Sequence, residues 1–295
     1  MQVEQKEEST QKKEVKNGRK KRVDVTAILL TVAIIVAVIS SLACLSMIHM
    51  NRMSANEYEE ISADFTTDGD DAPVTGDGSA DSTGDKAGGT ADAVTTVNSI
   101  PKAPSVDFDG LRAKGHDIVA WISIPYLDIN YPIVQTDDNE DYLHRTAYGN
   151  RFYAGSIILE AINSPSFTDV NTILYGHNMS DGSMFGKLLS LHEDTPKEPV
   201  YIWICTPTAD YLYRVFSEYV TDMHSDAYRM FGTKDTSADA AKWISEISGK
   251  SKAPFKMPPT YIKRVLTLST CTSASDNTRR VVHAVMMKRQ VKTNQ

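Results

Sequence analysis

Cysteine is scarce in this chain: Cys44, Cys205 and Cys271 are the three in 295 residues. Cys44 falls inside the longest apolar run, so no disulfide framework can be built from what remains. Counting alone permits one Cys205–Cys271 bridge. Cys205, however, closes the apolar run Tyr201–Cys205 and reads as an inert buried thiol. Charge is absent altogether between Val25 and Ile48. Aliphatic runs are absent from residues 54–104, which are rich in Asp, Gly, Ser, Thr and Ala. No twelve-residue loop of regularly spaced oxygen ligands is visible, which argues against a calcium site, and no metal or cofactor is expected. No internal repeat is apparent.

The uncharged segment is 24 residues long, about 36 Å as a helix and enough to cross a ~30 Å hydrocarbon core. A cleaved signal peptide has a shorter apolar core, and a buried core helix would carry polar residues at helical spacing. A membrane anchor is therefore predicted at 25–48. Residues 1–24 carry eight Lys/Arg against five acids, ending in Arg19-Lys20-Lys21-Arg22. Basic residues hard against a span predict a cytoplasmic N-terminus and an extracellular remainder. Their position there also argues against a nucleic-acid-binding arm. Residues 57–92 carry eleven acids and one lysine. Such a composition cannot bury enough apolar surface to offset its ordering entropy, so 49–104 is predicted to be a disordered acidic linker. Residues 105–295 are the expected folded domain.

Within that domain short β-type runs dominate: Ile118–Pro125, Ile129–Gln135, Gly155–Leu159, Thr172–Tyr175, Val200–Thr206, Tyr211–Val220, Val265–Ser269 and Val281–Met287. A short helix is expected near 107–116. A clearer one spans 236–249, opened by capping residues and closed by Gly249. Many short strands and few helices predict a closed barrel or a sandwich.

The chemistry concentrates late in the chain. Thr267-Leu268-Ser269-Thr270-Cys271 ends one apolar run, and Arg279-Arg280 opens the next. A thiol is nucleophilic as its thiolate, which a nearby fixed positive charge favours. Tyr175-Gly176-His177-Asn178-Met179 supplies an imidazole after another strand. His283 competes for that role, since alternation puts it on the face of Arg279, although a packed histidine is the plainer reading. The Thr-Leu-x-Thr-Cys motif, the arginine after it and the Tyr-Gly-His-Asn-Met segment resemble the sortase family over roughly residues 105–290. Tyr-Gly-His-Asn-Met-x-x-Gly-Ser-Met-Phe at 175–185 resembles class B in particular.

That resemblance implies a mainly β fold, an eight-stranded barrel with an N-terminal helix and a helix inserted before the cysteine strand. It implies Cys271 as nucleophile, His177 as acid/base and Arg279 as oxyanion stabiliser, with Arg280 turned away to solvent. Ser269 shares the nucleophile's face, and Asn139 and Leu143 match a segment that lines the family's substrate groove. The implied reaction is transpeptidation: a C-terminal sorting signal on a surface protein is cut between Thr and Gly and joined to a cell-wall precursor amine. Two rival readings share the same anchor: a tethered cysteine peptidase that hydrolyses wall peptides, and a non-catalytic surface-display domain. No lid segment of the pilus-building kind is evident.

Overall fold

The computed structural model describes residues 25–67, 100–193, 196–251, 264–272 and 275–293. The basic stretch 1–24 and the acidic residues 68–99, both part of the domain reading, lie outside the described residues. The chain divides into two compact units, residues 1–49 and 50–295. Helix α1 (Val25–Phe65) starts in the first. Its stretch Ile28–His49 is apolar, exposed and long enough to span a membrane.

In the second unit the β-type runs form strands β1 (Ile118–Ile124), β2 (Ile129–Val134), β3 (Ile157–Leu159) and β4 (Asn171–Tyr175), followed by β5 (Tyr201–Cys205), β6 (Ala209–Asp222), β7 (Val265–Thr272) and β8 (Ser275–Val291). They close into a barrel in the order β8-β6-β5-β1-β2-β3-β4-β7, with β7 returning to β8. Closure leaves the barrel without an edge strand among the described residues. Two neighbour pairs, β2·β3 and β4·β7, run parallel. The long strands β6 and β8 extend well past the predicted apolar runs, because cross-strand pairing carries polar residues along with apolar ones.

Leu266, Leu268, Val282 and Ala284 join Trp121, Ile122 and Ile204 in the main core. The opposite face of β7 and β8 is buried as well. Val265, Val281 and Val285 lie with Phe216 under helix α4 (Ser237–Lys250). A reciprocal capping box between Thr236 and Asp239 starts that helix. Its buried residues Ala240, Trp243, Ile244 and Ile247 recur at the spacing of one helical face. Burial of each large side chain is worth roughly 1.5–3 kcal/mol. A short helix α2 (Phe108–Lys114) precedes the barrel, and a single turn α3 (Ser190–Glu193) precedes β5.

The disordered linker expected over 49–104 is corrected at both ends. Residues 50–65 continue α1, and Tyr58 and Ile61 are buried in the main core. Thr66–Thr67 then pairs antiparallel with Ser105–Val106, and the Asp107 N–H donates to Phe65 O at 3.0 Å. At the far end Trp203 Nε1 donates to the Pro101 carbonyl at 2.8 Å. The acidic composition hid a thin apolar stripe, Tyr58-Ile61-Phe65, at helical spacing.

Candidate active site

Parallel strands β4 and β7 are in register at Tyr175↔Ser269, and the Gly176 N–H extends the ladder to Ser269 O at 3.1 Å. His177 and Cys271 each lie two residues beyond that pair, so parallel pairing delivers both to the same end of the barrel. Gly176 makes the step without a side chain because a Cβ there would meet Ile157 and the Phe185 ring at 2.7 Å. Cys271 is half-buried and lies within β7, whose last residue is Thr272. Strand β8 already begins at Ser275, ahead of the arginine pair, with an irregular register between Ser275 and Arg279.

Arg279 pairs directly with Cys271 across β7·β8. Alternation then fixes the fate of its neighbour. Arg280 turns away, but to a buried ion pair with Glu218 and not to solvent. Glu218 is fully buried and also meets His192 Nδ1 at 3.3 Å. Adjacent arginines thus divide between an accessible cleft and a buried lock.

The His177 ring is held by Nε2 at 2.8 Å from the Leu143 carbonyl oxygen. A carbonyl only accepts, so Nε2 carries the proton and Nδ1 is left as the basic nitrogen of the neutral ring. His144 stacks on His177 with ring centroids 5.6 Å apart, and exposed Tyr153 stacks on His144 at 5.9 Å. Burial holds the His177 pKa below the usual histidine range; the Leu143 bond opposes this and the His144 charge adds to it. His144→Ala removes both a like charge and a covering ring, and each change favours the imidazolium. The His177 midpoint in an NMR titration is expected to rise; an unchanged or lower midpoint would show that His144 does not act on it.

The three residues line one cleft of about 370 Å³, together with Leu143, Ile158 and Met223 on its apolar side. A sortase domain profile matches residues 122–287, more than half the chain. The chain belongs to the sortase family. It is 34% identical over 190 residues to sortase B of Listeria monocytogenes, covering 63% of this chain and 75% of that protein. The crystal structure of sortase B from B. anthracis in complex with AAEK1 is similar at 34% identity and a TM-score of 0.54, covering 61% of this chain and 84% of that one. A Staphylococcus aureus sortase B–substrate complex is similar at 30% identity and a TM-score of 0.54, with 61% and 84% covered. These relatives place the chain in class B, as an enzyme of the cysteine transpeptidase type. The eight-stranded barrel, the N-terminal helix and α4 before the cysteine strand agree with the fold that the resemblance implied.

The remaining sequence-derived positions of this sortase also reach the cleft, in different states. Ser269 shares the Cys271 face, and its hydroxyl lies 2.8 Å from Tyr228 OH. Leu143 is exposed at the rim and contributes its carbonyl as well as its side chain. Asn139 lines the cleft with its amide already engaged: Nδ2 donates to Glu160 Oε1 and Oδ1 accepts from the Ala161 N–H, each at 2.8 Å. Sequence reasoning missed Tyr228, Met223 and the Leu143 carbonyl. Tyr228 is brought in by a 3₁₀ turn, Asp226–Tyr228, pinned by the buried Asn171 amide donating to the Ala227 and Arg229 carbonyls at 3.1 Å.

Two competing readings resolve elsewhere in the barrel. His283 is fully buried between Thr267 and Tyr219, away from the cleft lining. Cys205 is buried on β5, and burial pushes its thiol pKa up. All three cysteines are free, so no Cys205–Cys271 bridge forms.

Proposed function

We propose that this sortase cleaves a C-terminal sorting signal between Thr and Gly and transfers the acyl part to a cell-wall amine through a thioester on Cys271. The observation that carries the reading is the register: Arg279 lies directly across from Cys271, and His177 sits at the matching offset on the parallel neighbour. The Cys271 thiol proton passes to the basic Nδ1 of His177, and Sγ attacks the threonyl carbonyl carbon, forming a C–S bond and a tetrahedral oxyanion. The planar guanidinium of Arg279 offers several donors to that oxygen. Collapse breaks the C–N bond, and His177 gives the leaving amine its proton. An incoming amine then attacks the thioester, loses its proton to His177 and expels the Cys271 thiolate. Ser269, Leu143 and Asn139 are proposed to contact the signal peptide.

The basic cluster before Val25 and the apolar stretch Ile28–His49 support a single-pass anchor with the N-terminus inside. Surface proteins bearing sorting signals, a cell-wall precursor amine and the membrane itself would then be its partners. A hydrolytic peptidase would call for an Asp, Asn or His side chain hydrogen-bonded to the histidine to orient it. Here the His177 ring bonds to a main-chain carbonyl, which favours the transpeptidase reading.

The test is mass spectrometry of the full chain in detergent with Asn-Pro-x-Thr-Gly-like, Ser-Pro-x-Thr-Gly-like and Leu-Pro-x-Thr-Gly-like peptides plus an amine. Cleavage after Thr with the acyl group on Cys271 or on the amine is expected, and Cys271→Ala should abolish both. Cleavage that persists in Cys271→Ala, or no cleavage of any peptide by folded protein, would overturn it.

A further inference from the structure

We propose that Tyr58, on the helix that precedes the barrel, is a positioning residue for His177. The proposal rests on the acid/base role given to His177 above. Tyr58 lies in a stretch whose composition predicts a linker, yet it is 4% exposed. Its hydroxyl donates to the Gly155 carbonyl at 2.6 Å and lies 3.1 Å from Ser156 Oγ. Both partners brace the segment that holds the His177 ring. Ser156 donates its hydroxyl to Arg145 O at 2.8 Å and its N–H to Tyr142 O at 3.1 Å. Between those two carbonyls sits that of Leu143, the acceptor of His177 Nε2–H. Gly155, at φ 59°, is pressed so close that a Cβ there would collide with the Leu143 carbonyl oxygen.

A second route leads to the same histidine. The Tyr58 ring meets Tyr131 edge-on at 5.3 Å. Tyr131 OH accepts from the Met184 N–H at 3.2 Å. Met184 bridges Asn178, and the next N–H, that of Phe185, donates to His177 O at 3.0 Å. One route steadies the acceptor of the imidazole and the other its main chain. Burial pushes the Tyr58 hydroxyl pKa up, so it stays a donor at any working pH.

Packing alone would make Tyr58 interchangeable with any buried residue on its helix face. Ile61, one turn on and 2% exposed, is the control. Tyr58→Phe keeps the ring and removes the hydroxyl; Ile61→Val removes one methylene-sized group and no hydrogen bond. Both are made in the full chain in detergent and assayed with a peptide and an amine, with melting temperatures followed in parallel.

Tyr58→Phe is expected to lower kcat about 3- to 10-fold, the range of one hydrogen bond, with KM within twofold. It should also shift the ¹⁵N resonance of His177 Nε2 in the substrate-free protein. Ile61→Val should leave both unchanged. An unchanged kcat and resonance in Tyr58→Phe, or equal losses in both variants, would overturn the proposal. His177→Ala separates this from the reading beneath it. If that variant still turns over, the acid/base role fails; if it is dead while Tyr58→Phe is normal, only the positioning role fails.

Discussion

Arg279→Ala is expected to cut kcat/KM for signal cleavage about 10²- to 10³-fold, the usual cost of losing one oxyanion donor, with little change in stability. Arg280→Ala, one residue on, should do the reverse. It takes the guanidinium from the fully buried Glu218 carboxylate and leaves it the His192 contact as its sole ion pair among the described residues, which costs about 3–5 kcal/mol of folding free energy. The contrast follows from strand alternation: Arg279 shares the Cys271 side of β8, while Arg280 shares the side of Val282 and reaches Glu218 on β6. Arg279→Lys keeps a charge without the planar fork, so partial recovery is expected. Steady-state kinetics and urea unfolding of the same preparations check both halves. Near-normal turnover in Arg279→Ala would remove the arginine from the mechanism.

Acid should destabilise the barrel through His283 before most carboxylates titrate. Thr267 Oγ1 donates to Asn171 Oδ1 at 2.6 Å, so it accepts from His283 Nδ1–H at 2.9 Å. Tyr219 OH, 3.1 Å from Nε2, donates to the remaining lone pair. The neutral ring is therefore fully satisfied, and Phe216, Tyr219 and Trp243 enclose it. Burial, aided by the Lys250 charge, pushes its pKa down to about 3. The unfolded chain takes up the proton near the ordinary value of about 6.5, whereas the folded chain does not. Stability from this group is thus intact above about 6.5, falls by ~1.4 kcal/mol per pH unit below it, and levels off near 3 after a loss of about 5 kcal/mol. Urea unfolding at pH 7.5, 6, 5 and 4 should show a steeper loss for the native chain than for His283→Gln. Parallel slopes would mean that His283 protonates in the folded state as readily as in the unfolded one.

The strands and the reactive trio were legible for different reasons. β-Branched runs and turn residues marked all eight strands, because barrel strands alternate faces and break at polar turns. Cys271, His177 and Arg279 stood out through a local motif. The Leu143 carbonyl did not, since a main-chain acceptor leaves no residue signature. Tyr228 reaches Ser269 from 41 residues away, and Arg280 finds Glu218 across 62. Pairing of β6 with β8 makes the second neighbour, and the turn pinned by Asn171 makes the first. Tyr58 was hidden by its acidic company, which described the solvent face of its helix and masked the apolar one.

The pairing of Thr66–Thr67 with Ser105–Val106 also changes what the acidic stretch between them can do. Its two ends are pinned a strand spacing apart, about 4.8 Å, whatever its length. A nick there would cut the covalent path while leaving Tyr58 and Ile61 seated in the barrel core. The stretch that enters the catalytic unit at residue 50 is thus a helix fastened at its far end by a strand pair, and not a free tether.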